Sequence, residues 1–151
     1  KKQLHVRCIE LMPRGETGFF SAERRVPLGD MLAKAAPLTP ASQEERPMGH
    51  GPARYYRRPG AAGTIGFISA LSCGFCDACN RVRLSSSGTL IPCLDGEEGV
   101  DLRTPLRAGA GSDTLMALIR EAIRNKPESH NMVARLAAPD ASPRFMCAIG
   151  G

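Results

Sequence analysis

The sequence predicts a mixed α/β chain organised as two structural units. Three observations carry this expectation: an apolar segment of period two near the start, two segments with apolar residues at helical spacing, and a cysteine-bearing hairpin beyond a connector rich in Pro and Gly. With 151 residues, 42% of them hydrophobic, the chain is long enough to bury roughly 70% of its unfolded surface as an ordinary domain. Only 5% is aromatic and tryptophan is absent. The core is therefore expected to lean on Leu, Ile, Val, Met and Ala rather than on large rings.

The first element is a strand over residues 3–12, with Leu4, Val6, Cys8 and Glu10 on one face and His5, Arg7, Ile9 and Leu11 on the other. Pro13 to Gly18 reads as a loop. Pro27 suits a first helical turn, and Leu28, Met31, Leu32 and Ala35 then recur at helical spacing until Pro37 ends the helix. Residues 39–63 lack a sustained period and read as a connector containing one short strand around Arg54-Tyr-Tyr-Arg57. Thr64 to Ser69 is a strand that delivers the chain to the cysteines. Arg81 to Ser85 and Thr89 to Cys93 flank Ser86-Ser-Gly88, a hairpin turn with glycine where positive φ is cheap. Ser112 can cap a helix from Asp113 to about Asn125, with Leu115, Met116, Leu118, Ile119, Ala122 and Ile123 as its apolar stripe and Lys126-Pro127 as its stop.

Lysine and arginine outnumber aspartate and glutamate by 20 to 15, a modest excess that favours a phosphate-bearing partner. No basic run or basic helix face interleaved with aromatics supports nucleic-acid binding. No stretch has the length of a membrane span, and no signal-peptide pattern opens the chain. The cysteines are clustered rather than dispersed, which fits a reducing, cytoplasmic setting and metal ligation better than disulfides. The chain opens on Lys1 rather than methionine, as a piece of a longer protein would.

Four of the six cysteines, Cys73, Cys76, Cys79 and Cys93, fall in one short stretch. Two-residue spacing followed by a cysteine returned on a hairpin suits zinc or an iron-sulfur cluster, and spacing alone leaves both open. Four thiolates make a closed site; three leave one iron position for an outside ligand. Cys73 thus separates a structural centre from a functional one. Arg81 and Arg83 alternate on the predicted strand, so both guanidiniums project from one face beside the cysteines, where their donor forks suit carboxylate or phosphate oxygens. An arginine pair at this spacing is more often a solvated surface feature, and only its adjacency to Cys79 favours a ligand role. His5, His50 and His130 read as structural or surface residues, Cys8 as a small buried apolar one, and Cys147 has no identifiable partner.

Taken together, Gly66-Phe-Ile-Ser69, Phe75-Cys-Asp-Ala-Cys-Asn-Arg-Val-Arg-Leu84, Ser86-Ser-Gly88, Cys93-Leu94, Asp101-Leu-Arg103, Lys126-Pro127 with His130, and Ile149-Gly-Gly151 resemble one family. They are similar to the C-terminal part of the GTP 3′,8-cyclases, radical S-adenosylmethionine (SAM) enzymes of molybdenum cofactor biosynthesis. Val6-Arg-Cys-Ile-Glu-Leu-Met12 resembles the family's Arg-Phe-Ile-Glu-x-Met strand, so the likeness spans nearly the whole chain. The resemblance implies that residues 1–38 are the last strand and helix of an incomplete TIM-type radical SAM barrel, 39–63 a linker, and 64–151 a C-terminal domain that binds a 4Fe-4S cluster and GTP.

It further implies that Cys76, Cys79 and Cys93 hold that cluster with one iron open to guanine, that Arg81, Val82 and Arg83 bind GTP, and that Met12 contacts SAM. Arg7 and the tail glycines Gly150 and Gly151 would stand at the catalytic centre. The implied reaction removes hydrogen from the ribose 3′ carbon, which then attacks guanine C8 to give 3′,8-cyclo-7,8-dihydro-GTP. A cyclic pyranopterin monophosphate synthase would take the product, and a homodimer is allowed. Two departures stand out: the family's first cluster motif, C-x3-C-x2-C, is absent, and Cys73 stands where members carry another residue. The first implies a chain without the radical-generating half of the full-length enzyme, whose second 4Fe-4S cluster works with SAM; it would be inactive alone, with a sheet edge and an apolar face exposed. The second makes Cys73 a bystander. Two rivals remain at this point: a zinc-binding interaction module with Cys73 as fourth ligand, and an auxiliary-cluster domain of another radical SAM enzyme, in which a Gly-Gly tail would have no purpose.

Overall fold

Two sheets organise the chain in a computed structural model that describes residues 3–12 and 22–137. The contacts divide it into two compact units, the first covering the described residues up to Phe75 and the second beginning at Cys76.

In the first unit four strands run in the order β1-β4-β3-β2, with β1 at His5–Ile9, β2 at Thr39–Pro40, β3 at Arg54–Arg57 and β4 at Thr64–Ile68. β1 pairs parallel with β4, whereas β3 pairs antiparallel with both β4 and β2. The segment read as a connector therefore supplies two strands. The helix α1, Leu28–Ala35, starts behind Pro27 as predicted and buries Leu28. Phe67, Ala70 and Ala41 form the rest of this small core, and Tyr56 meets Phe67 edge-on at 5.7 Å between ring centroids, the geometry that aligns a ring's positive edge with its neighbour's negative face.

The alternation predicted for β1 is only partly realised as burial. Glu10 is 1% exposed, while Leu4, Val6 and Ile9 remain 66%, 55% and 60% exposed. Among the described residues β1 stands at the sheet's edge, but the strand does not lack a sheet neighbour, because β4 pairs with its whole length.

The second unit carries the hairpin β5 (Arg83–Leu84) and β6 (Thr89–Ile91), extended by β7 (Val100–Asp101). Gly88 has φ +82 and hydrogen-bonds to Ser85 across the turn. A Cβ there would also stand 2.6 Å from Arg103 Cβ, so glycine is required twice over. Two short helices escaped the sequence reading: α2 at Arg103–Arg107 and α4 at Met132–Ala137. Asp101 Oδ1 accepts the Arg103 and Thr104 N–H groups and so starts α2. Between these two helices α3 spans Ser112–Arg124 with Gly111 as its N-cap; Ser112, predicted as the cap, is the first helical residue. α3 packs on β6 and β7 and buries Ala122, while Met116 and Ile123 of the predicted stripe face outward at 47% and 51% exposure.

Candidate functional site

The cysteines fall on both sides of the division between the units. Cys73 belongs to the first, and its N–H donates to the Ser69 carbonyl. Cys76, Cys79 and Cys93 belong to the second, all three half-buried and free of disulfides. Cys76 and Cys79 bracket a turn closed by a 3.1 Å bond from the Cys79 N–H to the Cys76 carbonyl, and Cys93 lies two residues beyond β6. Among the described residues no group of three or more His, Cys, Asp or Glu side chains is gathered to hold a metal.

The donor chemistry nevertheless suits a thiophilic centre. Burial pushes the Cys79 thiol up, but the Arg81 backbone N–H and the Lys126 ammonium outweigh it and hold the thiol below its ordinary range. The thiolate is the metal-binding form. Lys126 Nζ lies 3.2 Å from Cys79 Sγ, 2.8 Å from the Cys79 carbonyl and 2.7 Å from the Arg81 carbonyl. Soft sulfur donors in this number fit an iron-sulfur cluster.

The predicted arginine pair needs a correction. β5 begins at Arg83, so Arg81 lies before the strand and the alternation that was to set both guanidiniums on one face does not extend to it. Val82 is 42% exposed. Beside Cys93 opens a cavity of about 500 Å³ whose walls include Asp95, Glu97, Glu98, Asn125 and Pro127. Three carboxylates in its wall make it a poor seat for a polyphosphate.

The first unit holds two constellations that sequence reasoning missed. Glu10 is buried and gathers five contacts: Arg25 Nε at 2.8 Å and its terminal nitrogen at 2.7 Å, Ser72 Oγ at 2.6 Å, and the Ser72 and Leu71 N–H groups at 2.8 and 3.1 Å. Burial alone would raise its pKa, but the Ser72 and Arg25 donors more than offset this and hold it below the usual carboxylate value. Ser72 Oγ also accepts from Arg25 and from the Leu28 N–H at the start of α1. Glu10 thus ties the end of β1, the head of α1 and the residues immediately before Cys73. No local spacing announces it, since its partners lie 15 and 62 positions away.

The second constellation is a row across three strands. Arg7 on β1 and Tyr55 on β3 both pair with Gly66 on β4. Glycine in the middle lets the tyrosine ring lie across the strand, since a Cβ at position 66 would meet Tyr55 Cε1 at 2.7 Å. Arg7 Nε donates to the Tyr55 hydroxyl at 2.6 Å, and its guanidinium carbon stands 5.8 Å from the ring centroid, within cation–π range. Met12 is half-buried just past β1. Gly150 and Gly151 lie outside the described residues, as does Cys147.

The Lys126-Pro127 and His130 pattern has a local explanation. Lys126 grips the Cys79–Arg81 segment, while His130 Nδ1 accepts the Met132 N–H at the start of α4 and the Asn131 N–H donates to buried Asp95.

Comparison with known proteins adds the following. The Molybdenum Cofactor Synthesis C family matches residues 4–132. The GTP 3′,8-cyclase of Pelotomaculum thermopropionicum is 52% identical over 137 residues, which is 87% of this chain and 41% of that protein. Those of Heliobacterium modesticaldum and Gloeobacter violaceus are 43% and 42% identical, over 98% and 99% of this chain and 45% and 46% of their own lengths. The chain spans less than half the length of these curated relatives.

Proposed function

This chain belongs to the Molybdenum Cofactor Synthesis C family, and on that premise we propose that it forms the C-terminal, substrate-binding part of a GTP 3′,8-cyclase in molybdenum cofactor biosynthesis. Support comes from one observation above all: three free thiols share a unit, and the one nearest the arginines is held towards its thiolate. Cys76, Cys79 and Cys93 would hold a 4Fe-4S cluster. When bound, that cluster supplies an open iron position for a purine edge, and SAM supplies the radical that begins ring closure.

The chain's own residues then bind and orient. Arg81 and Arg83 offer planar donor forks to phosphate oxygens, with Val82 between them as an apolar contact for the nucleoside. Arg7, in the middle of β1 and braced on Tyr55, holds its guanidinium in place, and Met12 contacts SAM. Gly150 and Gly151 complete the catalytic centre. Fixing reactants in this way lowers the entropic part of a barrier without any proton transfer. Residues 1–38 would be the last barrel strand and helix, with 39–63 adding β2 and β3 to the same sheet rather than serving as a bare linker, and the chain alone is inactive. The product passes to a cyclic pyranopterin monophosphate synthase.

Anaerobic reconstitution followed by visible absorption and metal analysis tests the proposal. A brown four-iron cluster that survives Cys73→Ser, is lost in Cys93→Ser and changes its spectrum on adding GTP is expected. A colourless protein with one zinc, lost in Cys73→Ser, would overturn it in favour of a four-cysteine zinc module.

A further inference from the structure

We infer that Lys126 is a positioning residue that sets the conformation of the Cys79–Arg81 segment and so couples the cluster to the nucleotide-binding arginines. This rests on the function proposed above, because it gives Cys79 and Arg81 the roles assigned there. The inference itself starts from donor arithmetic. A lysine ammonium has three N–H donors and no acceptor, and Lys126 has three acceptors in reach on two residues: the Cys79 carbonyl at 2.8 Å, the Arg81 carbonyl at 2.7 Å and Cys79 Sγ at 3.2 Å. Its whole donor set is directed at one turn.

The origin of the side chain is as fixed as its target. Lys126 follows the C-cap Asn125, and its own N–H donates to the Ile123 carbonyl, so the helix end holds its backbone. Pro127 cannot continue the helix. α3 in turn packs on β6, the strand that leads to Cys93. The lysine is therefore a strut between the platform carrying Cys93 and the segment carrying Cys79. Two carbonyls separated by Asn80 are drawn to one cation, which bends the backbone between ligand and arginine into a single shape. A merely solvated lysine would leave those carbonyls to water.

Two consequences follow. A cationic donor on a ligating sulfur stabilises the more negative, reduced cluster, so removing it moves the reduction potential to more negative values. Loss of the carbonyl clamp frees the segment that ends in Arg81, and an unlocked segment must be ordered again on binding. Weakening of GTP binding by about tenfold is the expected size for one such clamp. Arginine at this position keeps the charge, but its planar fork cannot converge three donors on acceptors grouped around one point.

The experiment compares the cluster-loaded chain with Lys126→Met and Lys126→Arg by redox titration of the cluster absorbance and by GTP titration of its spectrum. Lys126→Met should lower the potential and weaken GTP about tenfold, with cluster content and melting temperature close to wild type; Lys126→Arg should recover much of the potential and little of the affinity. Should Lys126→Met fail to fold, that split in Lys126→Arg carries the test alone. Unchanged potential and affinity in Lys126→Met, or full recovery of both in Lys126→Arg, overturn the role. If wild type itself takes up no iron or ignores GTP, the proposed function falls and this inference with it, whereas a responsive wild type with an indifferent Lys126→Met sinks the inference alone.

Discussion

Arg25 and Lys126 are the two cations that organise their units, and they work in opposite ways. Arg25 meets a carboxylate, Glu10, whose side chain is fully buried, and the pair is neutralised where it sits. Lys126 meets two carbonyls and a thiol, which carry partial charges unless Cys79 ionises. The first arrangement is closed and serves architecture. The second has no carboxylate, so its charge is met only as far as the Cys79 thiol gives up its proton. A cation's acceptors thus separate a scaffold node from a chemical one more reliably than its burial does.

The largest expected effect lies in the closed node. Glu10→Ala leaves Arg25, Ser72 and two backbone N–H groups without their acceptor, and breaking a buried pair from one side costs about 3–5 kcal/mol. Urea unfolding should show this loss, and amide exchange should rise in β1, β4 and the head of α1 while β6 keeps its protection. Equal loosening of β6 would mean that the two units do not separate as their contacts suggest.

A smaller effect is expected at Gly66. Alanine there collides with the Tyr55 ring, and displacing a packed aromatic costs about 1–3 kcal/mol. Fluorescence of the tyrosines should change with the melting temperature, whereas the Cys79 environment should not. Smaller again is the response to acid. The Ser72 and Arg25 donors hold the Glu10 carboxyl below the ordinary carboxylate range in the folded chain, so its stabilisation is complete above the unfolded pKa and is lost as pH falls through the folded one. Stability should therefore rise with pH across that window in wild type and lose this slope in Glu10→Gln. A slope of the opposite sign would mean that burial dominates its donors.

Much of the fold was legible because β1, β4, the hairpin, α1 and α3 each carry several apolar residues at one period. The missing elements are those too short to show a period. β2 has two residues, α2 has five with Pro105 inside it, and α4 has six. The cysteines announce themselves by type and spacing, but among the described residues no three ligating side chains are gathered, so spacing named the candidates and not their geometry. Arg81 departs from the expectation because the period-two pattern of the sequence starts two residues ahead of the first paired residue, Arg83. Glu10 was invisible for a different reason: on an alternating strand it counts only as a polar position, and its meaning comes from Arg25 and Ser72, which folding brings to it.

The row of Arg7, Gly66 and Tyr55 has a consequence for how this sheet can change. Positions 66 and 55 share one volume on one face, which the Tyr55 ring fills for the most part and Ala53 Cβ bounds. A side chain at 66 therefore needs a smaller one at 55, and with its Cβ 3.3 Å from Ala53 the couple that fits is a small residue at 55 with alanine at 66. Such a swap would keep the sheet packed while leaving Arg7 without its hydroxyl partner, so the lodger in that space can be exchanged without harm to the fold, but not without harm to the arginine that leans on it.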